Sequence, residues 1–361
     1  MAPNFIGVTA LAYMNYFFRL ILTVILFAVS IGAEAGLEEG VDAYNSGNYS
    51  AAIKEFMPLA AKGNATAQFN LGVINELGQG VHQNYPKAVL RYRQAAEQDY
   101  ARAQLRLGVM YAKGQGVPQD NKEAVAWFRK AAEQGYALAQ FNLGVMYAKG
   151  LGFLQDNEKA ASWFSKAAEQ GNTLAQFNLG VMYANGQWVA QDYTMAIKWY
   201  LKAAEQGNAD AQVNLGLMYD DGQGTPQDYK EAVKWFRLAA EHGHALAQTK
   251  LGAMHYLGQG TYQSYKEAER WFRLASENDY APAQSSLGGL YKVGQGVPQD
   301  YVLAHMWTSI ALANTNSTEE RDAATKQRDS IAGEMTAKQI AEAQQLARKC
   351  TAKKFKECWR E

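Results

Sequence analysis

The residues able to ligate metal or act as nucleophiles are few and scattered. Cys350 and Cys358, the only cysteines, have seven residues between them, and the five histidines are His82, His242, His244, His255 and His305. Structural zinc takes four thiolate or imidazole groups at short paired spacings, which two cysteines without a neighbouring histidine do not supply. In an oxidising compartment the pair reads as one disulfide closing a small loop at the tail, with free or intermolecular thiols as the alternative. His242 and His244 are two apart, on different faces of a helix end, which suits capping or solvation better than a shared ion. The recurrent Gly-Gln-Gly, as at Gly114 to Gly116, looks like part of a phosphate loop, yet it follows a helix, lacks the Lys-Ser ending and repeats in register. No GxSxG, HExxH or SxxK stands with its partner motifs, so the sequence names no catalytic residue, metal or cofactor. With 35 basic and 35 acidic residues, the chain has no whole-molecule field to draw in nucleic acid or anionic lipid.

Whatever function the chain has must be positioned by a repeat. An Ala-Gln pair places its glutamine at Gln68, Gln104, Gln140, Gln176, Gln212, Gln248 and Gln284, each step being 36 residues. Copies in strict phase indicate one supersecondary element stacked on itself until a continuous core is buried.

Within a copy the apolar spacing is helical twice. Ala139, Leu143, Met146 and Tyr147 mark one face of a first helix, stopped by Gly150. Asp156 then stands at the N-cap position of a second helix, whose inner face carries Ala160, Trp163, Phe164, Ala167 and Ala168 before Gly171 ends it. Asp120 with Glu123, and Asp228 with Glu231, have the spacing of a capping box. Each copy is thus an antiparallel helix hairpin. A mid-helix glycine costs about 1 kcal/mol against alanine, yet Gly72, Gly108, Gly144, Gly180, Gly216, Gly252 and Gly288 recur there. Close approach of a large side chain from a neighbouring helix is the expected compensation. The candidates are the in-phase tryptophans Trp127, Trp163, Trp199, Trp235, Trp271 and Trp307, with Arg91 at that position in the first copy; a stripe of this kind is core.

The pattern AQxxLGxMYxxGxGVxQDYxxAxxWxxxAAEQG resembles the Sel1-like repeat, a relative of the tetratricopeptide repeat, over 65–313. The resemblance implies an all-α, right-handed α-solenoid of stacked antiparallel hairpins serving as a protein-interaction scaffold. Two positions depart from the pattern: Trp188 replaces the second turn glycine, and Phe153 replaces the usual valine. A cysteine-rich subfamily with a cysteine pair in most repeats has been linked to β-lactam binding; those pairs are missing here, so that activity does not carry over.

Outside the repeats, residues 1–31 hold one charge, Arg19, before the apolar run Leu20 to Ile31, and Ala33 and Ala35 have the spacing a signal peptidase reads. A run of 12 residues is short for a membrane span. A cleaved signal peptide and periplasmic or secreted localisation are expected, with an uncleaved N-terminal anchor as the alternative and Met14 as a possible second start. Residues 36–64 read as a degenerate N-terminal cap resembling a plain tetratricopeptide hairpin. Residues 314–349 read as a two-helix C-terminal cap, with helices expected at 318–332 and 337–349 behind capping boxes at Ser317/Glu320 and Thr336/Gln339, and 350–361 as a basic tail. Sequons at Asn48, Asn64 and Asn316 matter only in a host that glycosylates exported proteins.

If the hairpins are similar to tetratricopeptide hairpins, the first helices line the concave side. The residue after each Ala-Gln pair reads Phe69, Leu105, Phe141, Phe177, Val213, Thr249, Ser285, and four further on the row reads Val73, Val109, Val145, Val181, Leu217, Ala253, Gly289. Both rows are apolar for five copies and then small or polar. They are read either as packing between helices or as an apolar groove for a partner helix or extended segment, with Asn70, Asn142, Asn178 and Asn214 beside it for backbone hydrogen bonds and Trp188 as a further contact. The expectation is an exported, non-enzymatic scaffold for protein partners of unknown identity, without nucleic acid and without cofactor. The alternative is a cell-envelope hydrolase, peptidoglycan-modifying or β-lactam-binding activity in the groove.

Overall fold

The computed structural model describes residues 36–353 together with Phe355 and Cys358; the expected signal segment and most of the basic tail lie outside them. The described elements are helices, and the chain divides into two compact units, Met1–Gln170 and Gly171–Glu361.

In the first unit residues 36–45 form α1, followed by α2 (Tyr49–Ala61), α3 (Ala65–Leu77), α4 (Tyr85–Ala96), α5 (Ala101–Lys113), α6 (Asn121–Glu133), α7 (Ala137–Lys149) and α8 (Asn157–Glu169). The second holds α9 (Thr173–Asn185), α10 (Tyr193–Glu205), α11 (Ala209–Asp221), α12 (Tyr229–Glu241), α13 (Ala245–Leu257), α14 (Tyr265–Ser276), α15 (Ala281–Val293), α16 (Tyr301–Asn314), α17 (Thr318–Ala332) and α18 (Ala337–Ala352). Consecutive helices from α2 to α8 and from α9 to α17 pack against each other, and α18 packs against α16. The C-terminal helices start where the sequence places them, and α18 runs three residues longer than the expected end at 349.

The Gln-Asp dipeptide of the turn explains why one helix stops and the next begins. Gly114 ends α5 with φ of 67°, a left-handed conformation that costs glycine nothing. Gln119 folds back so that its Nε2 donates to the Ala112 carbonyl at 2.9 Å, satisfying one of the orphan carbonyls of the α5 terminus. Asp120 faces forward, and its Oδ1 accepts from the amides of Lys122 and Glu123 at the start of α6, at 2.9 and 3.1 Å. At the C-terminal cap, Thr336 and Gln339 make a complete capping box. At Ser317 the Glu320 carboxylate accepts instead from the Thr315 hydroxyl, at 2.6 Å.

Ala139, Leu143, Met146 and Tyr147 are all buried, as are Ala160, Phe164, Ala167 and Ala168. Five of the six tryptophans are buried, and Trp163 is half-buried.

The mid-helix glycines, however, are matched to a different partner from the one the sequence suggested. A Cβ built on Gly108 would fall 2.6 Å from the Phe128 ring, and one on Gly144 would fall 2.8 Å from Phe164. Gly72 meets Tyr92, Gly216 meets Phe236 and Gly252 meets Phe272 in the same way. The residue after the tryptophan therefore lies on the glycine, inside its own hairpin. The tryptophan sits between hairpins: Trp235 of α12 is buried with Leu215 and Met218 of α11 in its own hairpin and with Tyr200 of α10 in the preceding one. Adjacent positions on a helix point about 100° apart, so the two rings serve two different interfaces.

Candidate interaction surface

The first helices carry the residues expected to meet a partner. Phe69, Leu105 and Val213 are buried, with 7, 6 and 4 % of their surface exposed, whereas Phe141 and Phe177 are half-buried. Each ring leans on the aromatic side chain that also covers the glycine. Phe69 lies 5.6 Å from Tyr92 between centroids, Phe141 5.7 Å from Phe164 and Phe177 5.9 Å from Tyr200, all tilted. Arg102 lies over the Phe69 ring at 5.3 Å. The second row is half-buried throughout, from Val73, Val109 and Val145 in the first unit to Val181 and Leu217 in the second. Asn142, Asn178 and Asn214 each donate Nδ2 to a carbonyl one turn earlier, those of Leu138, Leu174 and Asp210, at 2.8 to 2.9 Å. Asn70 is half-buried.

Trp188 holds φ of 70° in the turn after α9, where other copies have glycine, and is 36 % exposed. The Cys350–Cys358 disulfide joins the end of α18 to the tail, with Cα atoms 5.0 Å apart. Both sulfurs belong to a buried cluster with Trp307, Ile331 and Phe355, so the bridge seals the C-terminal end of the core as well as closing a loop.

Beneath this surface the glutamines of the Ala-Gln pairs are buried. Nε2 of Gln104 donates to the Ala96 carbonyl at the end of α4, 3.1 Å away. Its Oε1 accepts from Gln134, the C-cap of α6, at 2.8 Å. One side chain thereby ties the ends of two successive second helices. Gln68 and Gln98, Gln140 and Gln170, and Gln176 and Gln206 repeat the side-chain pair. The sequence marked these glutamines only as the start of each copy; their identity in all seven copies was the signal that they bear a common bond.

Stacked hairpins with in-phase glycine, aromatic and glutamine positions make a family assignment decidable. Seven consecutive copies match the Sel1 repeat model, at 65–100, 101–136, 137–172, 173–208, 209–244, 245–280 and 281–316. The chain belongs to the Sel1-repeat family. It is similar to the crystal structure of c5321, described as a protective antigen present in uropathogenic Escherichia coli strains and displaying an SLR fold. The identity is 32 %, over 91 % of this chain and 78 % of that one, with a TM-score of 0.57. It is equally similar to a Sel1 repeat protein from Oxalobacter formigenes, at 32 % identity over 68 % of this chain and 96 % of that one, with a TM-score of 0.58. No curated protein matches the chain. The Sel1-repeat solenoid is a fold typical of protein–protein interaction scaffolds.

Among the described residues no group of three or more histidine, cysteine or carboxylate side chains could hold a metal ion, and no helix is long and apolar enough to cross a membrane. A pocket of about 430 Å³ lies between α15 and α17, lined in part by Ser285, Thr315, Glu320 and Gln327. Its hydroxyls are already engaged: Ser285 donates to Gln327 and Thr315 to Glu320, both at 2.6 Å. The acceptor of Thr315 is a carboxylate and that of Ser285 a neutral amide oxygen. His244 caps α13 by accepting from the Ala247 amide at 3.4 Å, the capping role its spacing suggested. His255 and His305 are buried, and burial lowers the pKa of both imidazoles below the ordinary value. Burial, reinforced by the Glu76 carboxylate, pushes the Tyr92 phenol up, so it stays a neutral donor to that carboxylate.

Proposed function

We propose that this chain is an exported, non-enzymatic scaffold that holds a segment of a partner protein on the first-helix faces of its repeats. The observation that carries the reading is the pair of half-buried rings, Phe141 in the first unit and Phe177 in the second, on a fold typical of interaction scaffolds. Each keeps ring area for a partner and has an asparagine beside it, Asn142 and Asn178, whose bond to its own helix uses an amide hydrogen and leaves Oδ1 to accept from a bound backbone. Phe69, Leu105 and Val213 form the floor of these faces, and Asn70 and Asn214 extend the polar edge. Trp188 is a further contact. Export rests on the apolar run Leu20 to Ile31 with Ala33 and Ala35, and the Cys350–Cys358 disulfide supports it, because such bonds persist in oxidising compartments.

Phe141→Ser and Phe177→Ser, singly and together, test the binding face. The double variant should keep its helicity and lose about 2 kcal/mol or more of affinity for a partner captured from envelope extracts. A folded double variant that holds the same partner equally well would move the face elsewhere, with Trp188 next; early melting would make the rings structural. Mass analysis of the exported protein should find Gly36 at the N-terminus, and an intact residue 1 or 14 would overturn cleavage.

A further inference from the structure

In the first repeat Arg91 stands where the other six have Trp127, Trp163, Trp199, Trp235, Trp271 and Trp307. In the second unit the place of that tryptophan is plain. Trp235 is buried with Leu215 and Met218, and Ile197 and Leu201 pack against the same cluster. Trp271 is buried with Val233, Leu251 and Met254, and Trp307 with Leu287 and Leu290. The indole fills the same slot each time, between the first helix of its own hairpin and the second helix of the preceding one.

Four repeats before Ile197, Leu201, Leu215 and Met218 stand Ile53, Met57, Leu71 and Ile74. The N-terminal cluster of Phe56, Leu71 and Ile74 has no tryptophan among its described members. In its place is a pocket of about 300 Å³ lined by Ile53, Met57, Leu71, Ile74, Val81 and Leu90, with Lys87 and Arg91 beside them and Asn75 turned to the Leu71 carbonyl of its own helix. Leu71 and Ile74 make a floor only 3 and 1 % exposed, while Met57, Val81 and Leu90 stand 50, 40 and 55 % exposed around it. Arg91 Nη1 donates to Gln94 Oε1 on the same helix at 3.2 Å, so the guanidinium is held along α4. The slot is therefore apolar at its base and open, and the charges in its lining are cationic.

We propose that this slot receives the indole of a tryptophan carried by a partner segment with acidic residues beside that tryptophan. The floor is the one that indoles fill in the later repeats, so shape and apolar character fit the ring. Lys87 and Arg91 supply the charge complement to neighbouring carboxylates. The site lies between α2, α3 and α4 and uses none of the first-helix residues Phe141 or Phe177, so it stands or falls apart from that reading.

The test uses the full-length chain with methyl-labelled Ile, Leu and Met, titrated with acetyl-Asp-Trp-amide and, in parallel, acetyl-Asp-Ala-amide and acetyl-Lys-Trp-amide. The first probe should shift the Ile53, Met57, Leu71 and Ile74 methyl signals and the other two should bind at least about tenfold more weakly. Arg91→Trp restores the residue found in the other repeats and fills the slot from within; it should raise the Tm and abolish binding. Met57→Glu, at a half-exposed position that does not hold the fold, should also abolish it by repelling the acidic probe. Binding unchanged in either folded variant, or no methyl shift in the wild type at millimolar probe, would overturn the proposal. Equal binding of the lysine probe would overturn its acidic component. Self-association of the wild type that Arg91→Trp removes would assign the slot to a second copy and overturn the partner.

Discussion

The side-chain amide of Gln134 donates to Oε1 of Gln104 across 2.8 Å, although thirty residues separate them, and Gln104 in turn donates to the carbonyl of Ala96 in the preceding repeat. The bond to Ala96 is buried, and the bond between the side chains is missing at two places along the chain. Oε1 of Gln212 and of Gln248 are buried without a partner, because His242 and Asn278 stand where Gln134 and Gln206 stand elsewhere and turn back to the carbonyls of Leu238 and Leu274.

His242→Gln should restore the missing bond to Gln212 and stabilise the second unit by about 1 kcal/mol. Gln104→Leu should destabilise the first unit by about 1 to 3 kcal/mol, since it strips a partner from the buried Ala96 carbonyl. Urea midpoints of the two variants measure both effects, with opposite signs.

Gly144→Ala tests the close approach inside the hairpin. Helix propensity alone predicts a gain of about 1 kcal/mol. The added methyl would lie 2.8 Å from Phe164 and 3.3 Å from the Ala160 carbonyl, and overpacking of that kind costs about 1 to 3 kcal/mol. A lower Tm is expected, and Gly144→Ala with Phe164→Leu should recover part of the loss.

Trp188→Gly should raise stability by about 1 kcal/mol, by relieving a bulky residue at φ of 70°. If Trp188 also touches the partner, the same variant will be more stable and bind less. Thermal melts and affinity measured on one preparation separate the two effects.

Stability should fall on mild acidification. His255 and His305 have folded pKa values lowered by burial, so above the unfolded value of about 6.5 both states are neutral and the full stability is present. As pH falls below that value the unfolded chain takes up protons the folded chain refuses, and stability is lost until the lower folded values are passed. Around His255, Arg237 adds to the lowering and Glu267 opposes it; around His305, Arg328 and Asp329 do the same. His255→Tyr places there the residue other repeats carry, as at Tyr219 and Tyr291, and should flatten the loss below pH of about 6.5. An unchanged slope in the variant would exclude His255 as its source.

The helices, their stops and the hairpin order were legible in the sequence because each is decided locally. Asp120 caps with neighbours two and three residues on, Gly114 turns on its own φ, and a 36-residue phase leaves one way to align copies. The tertiary structure alone decided which ring meets which interface. Trp127 and Phe128 are adjacent, equally apolar and repeated in step, so periodicity could not say that the phenylalanine covers Gly108 while the tryptophan position serves the preceding hairpin. Long-range partners were invisible for the same reason. The sequence marks Gln104 and Gln134 as recurrent, but only the antiparallel return of α6 brings their amides together. Arg91 likewise is a mere substitution on paper, and becomes an open slot only when Ile53, Met57, Leu71 and Ile74 are seen to gather around the place an indole would fill.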